Sequence, residues 1–495
     1  MTTQRPDWID RWARRGPWLV LAYVAALAAL RLWLSPHLEV DEAHFVGQTD
    51  LRMAYGNSHP PLYNWLMHVA LALTGGAWAP AAAAVKFPLL AAFHLLTWDA
   101  ARRLGGSRAA LGALAASAFL PQIVWMSALT LTHSVLVLAS AAAVVHAGAL
   151  LALRPPERRH PRLWLWFGAA MALGAMSKYS FALFLGPYLA ALWMGRETRG
   201  IIADRRVAIS AAVFAVLAGP SLIAASLQMR QSTARMSKLF STEGATSGLD
   251  LPGIGLDGFL SLLQAGAAWA GPALIVWWLA RRGAAPAPAF PDRRADAYVQ
   301  ALGRTMLASL AVFAAIVLAG DMHRVRERYL TPALAALPVW LAAARPLDAP
   351  RLRALARLAA FAYVMALVGV AGVTTFSAHR LAYPYDALAA QIAERANVEG
   401  AVIVGARHVD GANLALALQR RGLDVRAAEA PWPGQPEPAG RQVLVWEGRG
   451  PRPASLRDRR AAEGPPFVVS APLANRSGAV AAFSVEIVPP AGHVR

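Results

Sequence analysis

The chain has 495 residues, 57% of them hydrophobic and 16% charged, with a mean hydropathy of +0.39. That composition excludes an ordinary soluble globular enzyme and fits a polytopic membrane protein. The formal net charge of +19 does not point to nucleic acid, because the arginines gather in short segments between apolar runs, the pattern of a topology signal.

Arg5, Arg11, Arg14 and Arg15 precede the first long apolar run. No small-residue cleavage site stands out, so residues 17–35 read as a retained first span rather than a signal peptide. A span needs about 20 apolar residues. Further candidates fall at 80–100, 108–127, 131–153, 161–177, 179–195, 207–228, 258–280, 300–320, 328–344 and 355–376. The total is about eleven spans, within a range of about 11–13. Residues 62–74 are apolar but short, and suit an interfacial or re-entrant helix or half of a longer span.

The arginines test this map. With the N-terminus cytoplasmic, the clusters Arg102/Arg103/Arg108, Arg154/Arg158/Arg159/Arg162, Arg196/Arg199/Arg205/Arg206, Arg281/Arg282/Arg293/Arg294 and Arg345/Arg351/Arg353/Arg357 all fall on the cytoplasmic side, as the positive-inside rule requires. The same count places Asp41/Glu42, Ser177-Lys178, the 229–257 loop, the 321–328 segment and the C-terminus outside. Tryptophans such as Trp18, Trp33, Trp98, Trp164, Trp166, Trp277 and Trp278 sit near proposed span ends, as interface belts do.

Residues 1–376 thus form a transmembrane domain, and the composition changes after about residue 377. Residues 401–405, 424–426, 443–446, 467–469 and 482–488 read as strands. Asn413–Arg421 reads as a helix closed by Gly422. Pro/Gly-rich stretches near 431–440 and 449–453 separate them. Residues 377–495 are enough for one small extracytoplasmic α/β domain. No internal repeat is visible.

The first outer loop, 36–61, is the most acidic outer loop and holds Asp41, Glu42, His44, Asp50, Asn57 and His59, with Tyr63 just beyond. It reads either as a solvated loop or as a site for a polar ligand. A carboxylate beside a low-dielectric boundary suits a general base, because partial desolvation raises its pKa. Pro60-Pro61 starts the next segment sharply. Lys178, one of three lysines, lies between two apolar runs, where it either meets an anion or snorkels from a helix end. Arg324, Arg326 and Arg328 form the dense positive patch outside, suited to phosphate or to anionic headgroups. Arg230 is a further candidate. His68, His94 and His146 fall in apolar runs. His94 and His146 read as core or interfacial residues, and His68 lies near the loop. His44, His59 and His133 show no ligand spacing, and the chain has no cysteine, so no metal is assigned.

Val40-Asp41-Glu42-Ala43-His44-Phe45, followed by His59-Pro60-Pro61-Leu62-Tyr63-Asn64-Trp65-Leu66, resembles the first outer loop of the lipid-dependent GT-C-fold glycosyltransferases. This family 39/83 group includes protein O-mannosyltransferases and the aminoarabinose transferases of lipid A. Gly174-Ala-Met-Ser-Lys178-Tyr179 and Glu327-Arg328-Tyr329-Leu330-Thr331-Pro332 are similar to later family segments. The resemblance implies a polyprenyl-phosphate sugar donor, a hydroxyl acceptor, transfer on the outer membrane face, and inversion at the anomeric carbon. It implies that Asp41 is the general base and that Glu42 orients or binds sugar or acceptor. Substrate-binding residues are then His44, His59, Tyr63, His133, Lys178, Tyr179, Arg324, Arg326, Arg328 and Tyr329. One departure is Thr130-Leu-Thr132-His133-Ser134, where His133 replaces an acid common in the family. That replacement leaves metal dependence and acceptor class open.

The expectation is therefore a polytopic α-helical membrane protein of GT-C type in a bacterial inner membrane, with a periplasmic α/β domain. Its partners are the lipid-linked donor, a lipid, glycan or protein acceptor and membrane lipids, without nucleic acid; no cofactor is assigned. The competing readings are a transporter or flippase for a lipid-linked saccharide, and a ligase moving a whole glycan. Transporters tend to show internal repeats and charged or broken helices at the midplane. Here the polar residues gather in outer loops instead.

Overall fold

The structure is a computed structural model and describes residues 8–55, 59–228, 256–283, 292–320, 322–429, 438, 440–457 and 462–490. Seven helices among the described residues are long and apolar enough to cross a membrane: Trp8–Leu34, Trp78–Ser117, His133–Ala152, Val207–Leu227, Leu256–Arg281, Arg293–Ala319 and Ala349–Phe376. Each covers an expected span. Side chains such as Val216, Ile223, Phe361 and Val368 are exposed on them, as on faces turned to lipid rather than water.

The departures have local causes. Expected spans 80–100 and 108–127 share Trp78–Ser117, which breaks at Gly105 (φ −137°) and Gly106 (φ +69°). Gly106 takes a left-handed conformation that a side chain disfavours. The second of these spans stops at Ser117 rather than 127, and the chain resumes after Pro121 as a π-helical turn, Gln122–Met126, then Ser127–Leu129. Expected spans 161–177 and 179–195 fall on shorter helices, Pro161–Ala175 and Ala182–Met194, the latter entered through the 3₁₀ turn Tyr179–Phe181. Segment 328–344 is split into Glu327–Tyr329, Thr331–Leu334 and Leu337–Ala344. Pro332 and Pro338 have no N–H to continue a helix, so each begins a new one. Residues 62–74 form the 12-residue helix Leu62–Leu73, about 18 Å long and too short to cross the hydrocarbon.

Contacts divide the chain into two compact units. One comprises Met1–Leu27, Arg52–Tyr63 and Lys86–Ala366. Its helices approach closely where side chains are small. A Cβ on Gly168 would lie 2.6 Å from Ser210 O, and Ser210 Oγ donates to Trp164 O at 2.6 Å. The buried Tyr188 and Tyr298 hydroxyls lie 2.8 Å apart, and Tyr298 donates to Val145 O at 2.7 Å. These contacts satisfy polar groups that lipid cannot.

The other unit comprises Ala28–Leu51, Asn64–Val85 and Leu367–Arg495. Its centre is a five-stranded sheet of β1 (Val402–Gly405), β2 (Arg426–Glu429), β3 (Gln442–Glu447), β4 (Phe467–Pro472) and β5 (Val480–Val488), in the order β2-β1-β3-β5-β4. β1 runs parallel to β2 and β3, while β5 is antiparallel to β3 and β4. The helix His408–Arg420 makes the crossover from β1 to β2. Ile403, Val443, Val445, Phe483 and Val485 pack with Leu388 and Ile392 of the helix Tyr385–Arg395 and with Leu414 and Leu418. Tyr385–Arg395 is not among the expected elements. The expected helix at 413–421 begins five residues earlier, at His408, and the strand expected at 424–426 forms at Arg426–Glu429.

Candidate functional site

In the sheet-bearing unit, the loop after the first helix is built around a buried ion pair. Pro36 follows the end of the first helix at Leu34. From the last turn of that helix, Arg31 donates to Ser35 O (2.9 Å), His37 O (2.7 Å) and Glu42 Oε2 (2.6 Å). Arg31 and Glu42 are only 3% and 2% exposed. Glu42 Oε2 also accepts from the Glu39 N–H at 3.0 Å, and Glu39 accepts from the Val40 N–H at 3.0 Å. This reciprocal capping fixes the single turn Val40–Ala43. The sequence reading gives Glu42 a role toward sugar or acceptor; the structure adds an anchoring one. Asp41 is half-buried on the same turn.

A second clamp holds the loop from far along the chain. The Leu38 N–H donates to Asn413 Oδ1 at 2.8 Å, and Asn413 Nδ2 donates to Leu38 O at 2.9 Å. His408 Nε2 lies 2.8 Å from Val40 O. The His44 ring meets His408 edge-on at 5.6 Å and Phe45 at 6.2 Å. The helix carrying Asn413 is fixed at its start by Asp410, which accepts from Tyr385 Oη at 2.8 Å and from Arg380. Burial pushes the Asp410 carboxyl pKa up while Arg380 opposes the shift. Sequence reasoning missed Arg31, His408 and Asn413. Arg31 was detectable as a lone cation in the last turn of an apolar helix; nothing local marks the other two.

The remaining candidates lie in the first unit. The His59 ring stacks on His133 at 4.1 Å, and Tyr63 lies 5.3 Å from His133. His133 opens the helix His133–Ala152. The segment leading to it is held by Lys86, whose Nζ donates to Ala128 O and Leu129 O at 3.3 and 3.2 Å. Lys178 follows a tight helix end. Ser177 Oγ donates to Gly174 O at 2.6 Å, and Phe181 lies so near Gly174 that a Cβ there would come within 2.1 Å of its ring. Lys178 is buried. Its Nζ lies 3.2 Å from Ser134 Oγ, 3.1 Å from Arg328 O and 5.7 Å from the Tyr329 ring centroid. His59, Tyr63, His133, Lys178, Arg328 and Tyr329 are thereby linked in one unit, with Tyr179 beginning the adjoining 3₁₀ turn.

Arg324 and Arg326 stand on an extended segment, exposed on either side of the buried Val325, the two-residue alternation of extended backbone. Ser261 pins that segment, since Val325 N–H donates to Ser261 Oγ at 2.9 Å and Ser261 Oγ donates to Val325 O at 3.0 Å. Gly258 permits the approach, for a Cβ there would lie 1.6 Å from Met322 O. Among the described residues neither arginine forms an ion pair. Such a segment can receive a polyanion. Asn57 and Arg230 lie outside the described residues. Among the described residues no group of three or more His, Cys, Asp or Glu gathers as a metal site would.

Residues 58–223 match the family described as dolichyl-phosphate-mannose-protein mannosyltransferase. The chain is 30% identical over 449 residues to the lipopolysaccharide core galacturonosyltransferase RgtA of Rhizobium johnstonii, covering 87% of this chain and 86% of that protein. It is 28% identical over 325 residues to the lipopolysaccharide core galacturonosyltransferase RgtB of the same organism, covering 65% and 63%. Its fold is similar to that of ArnT from Cupriavidus metallidurans. For ArnT bound to undecaprenyl phosphate the TM-score is 0.59 at 17% identity, over 95% of this chain and 98% of that one. For the apo state the TM-score is 0.62 at 17% identity, over 95% and 97%.

Proposed function

We propose a specific reaction on the premise that this chain belongs to the GT-C-fold glycosyltransferase family, and is therefore a multi-pass membrane enzyme that transfers a sugar. The donor is a polyprenyl-phosphate sugar, and the likeness to RgtA favours a hexuronic acid as that sugar. The acceptor is a hydroxyl of an envelope glycolipid such as a lipopolysaccharide core; a polysaccharide or protein hydroxyl is the alternative acceptor. Transfer takes place on the periplasmic face of the inner membrane, with the N-terminus cytoplasmic.

Asp41 removes the proton of the acceptor hydroxyl as its oxygen bonds to the anomeric carbon. The bond from that carbon to the phosphate oxygen breaks in the same displacement, inverting the centre and releasing polyprenyl phosphate. A phosphate is already a good leaving group, so the protein must chiefly supply a base and stabilise the departing charge. Lys178, Arg324, Arg326 and Arg328 supply the charge, and Arg324 and Arg326 suit paired hydrogen bonds to phosphate oxygens. His44, His59, Tyr63, His133, Tyr179 and Tyr329 bind sugar and acceptor. Glu42 holds the turn that carries Asp41.

The observation that carries this reading is the pair of exposed arginines, without an ion pair among the described residues, on the segment pinned by Ser261. The test compares transfer from a polyprenyl-phosphate uronic acid by the full chain and two variants. Asp41→Asn should lower turnover by about a thousandfold with the donor KM unchanged. Arg324→Gln/Arg326→Gln should raise the donor KM by at least about tenfold. An unchanged donor KM in the double variant would overturn the phosphate assignment, and near-normal turnover in Asp41→Asn would overturn the base.

A further inference from the structure

A general base works only where it is aimed, and a misplacement of about 1 Å costs about a hundredfold in rate. The turn that carries Asp41 is a single one, Val40–Ala43. The Ala43 N–H donates to Glu39 O at 2.7 Å, but the next amide, that of His44, is directed at Glu42 O. In a longer helix that amide would serve Val40 O. A side chain takes its place: His408 Nε2 lies 2.8 Å from Val40 O. A carbonyl only accepts, so the hydrogen is on Nε2. The group held is the peptide that joins Val40 to Asp41. On the other side of Asp41, Glu42 is held by Arg31 at 2.6 Å. The backbone of the proposed base is thus fastened on both sides.

His408 is a firm point from which to hold it. It opens the 13-residue helix His408–Arg420, whose Val409, Ala412 and Leu416 are buried together with Leu38 and Ala43, on either side of Asp41. Two glycines bring that helix onto the end of β1, since a Cβ on Gly411 would lie 2.6 Å from Gly405 N. Asp410 ties its first turn to Tyr385 and Arg380. The half-buried His408 ring rests edge-on against His44 at 5.6 Å. One neutral hydrogen bond from a half-buried ring adds little to stability. Its effect therefore falls on where Asp41 points.

We infer that His408 is a positioning residue for sugar transfer, acting through the Val40 carbonyl to aim the Asp41 carboxylate at the acceptor hydroxyl. It touches no reacting atom. The inference rests on the reading of Asp41 as the base, and it makes the sheet-bearing unit a working part of the active centre rather than a cover for it.

Transfer from a polyprenyl-phosphate uronic acid to a lipopolysaccharide core is measured for the full chain and its variants, with thermal unfolding recorded for each. His408→Leu keeps the bulk of the ring but has no donor. It should lower kcat by about thirtyfold to a hundredfold, with the donor KM within about twofold of normal. His408→Gln offers an amide N–H at a similar reach and should return kcat to within about fivefold of the unaltered protein. In Asp41→Asn, which lacks the base, adding His408→Leu should cause no further loss, because the histidine acts through Asp41. An unchanged kcat in His408→Leu would overturn the inference. So would equal losses in the Leu and Gln variants, which would assign the effect to the ring rather than to its hydrogen bond. A further loss of about tenfold in the double variant would do the same, since it would show a role independent of Asp41. Near-normal turnover in Asp41→Asn alone would overturn the base itself, so the two failures are separately visible.

Discussion

Replacing Arg31 by Met tests how the first loop is held. The guanidinium bonds two carbonyls and Glu42, and both charged partners are almost wholly buried. Met keeps much of the stem but leaves a buried carboxylate without its cation. Breaking one side of such a pair costs about 3–5 kcal/mol, a large part of a typical stability of about 5–15 kcal/mol. Glu42→Gln alone should cost about 1–2 kcal/mol, because an amide oxygen can still accept from Arg31 and from the Glu39 N–H. In the double variant no charge is left stranded, so it should be more stable than Arg31→Met by about 2 kcal/mol. The assay is thermal unfolding of the purified chain in detergent, paired with sugar transfer. Arg31→Met should lower transfer by at least about a hundredfold, because the turn bearing Asp41 loses its anchor. Equal stability of Arg31→Met and the double variant would refute the argument, since it would mean that Glu42 is not the group Arg31 neutralises.

Lys178→Met should lower kcat/KM for the donor by at least about a hundredfold, while a kcat/KM within twofold of normal would remove Lys178 from the phosphate site. Gly258→Ala places a methyl where Met322 O now lies; it should raise the donor KM about tenfold by displacing the arginine segment, and unaltered kinetics would show that segment to be unimportant. Burial lowers the His37 pKa from 6.5 to about 4, with smaller contributions from Asp386, which opposes the shift, and from Arg420 and Arg31. Because the folded pKa is depressed, the stabilisation is complete above about pH 6.5 and is lost as pH falls toward 4. In detergent, about 2 kcal/mol should disappear between pH 7 and 5, and His37→Gln should flatten that slope. Parallel slopes for the two proteins would refute it.

The sequence announces most of the membrane architecture because apolar length and arginine placement are local signals. It misplaces the ends where backbone chemistry intervenes, as at Gly105-Gly106 and before Pro332 and Pro338. Lys178 and the Arg324–Arg328 cluster are legible because charge is costly beside a bilayer. Gly258, Ser261 and Asn413 are not, since their importance lies in partners tens or hundreds of positions away. Tyr385–Arg395 escapes notice because its apolar stripe, Leu388, Ala389 and Ile392, is short.

The clamp between Leu38 and Asn413 joins positions 375 residues apart. On the ribosome the first loop emerges early, yet its peptide group cannot acquire this partner until nearly all the chain has been made. The turn carrying Asp41 has its local contacts with Arg31 and Glu39 early, whereas the peptide group of Leu38 just before it waits for the end of synthesis. Chains released before residue 413 would carry Asp41 without the clamp that holds Leu38.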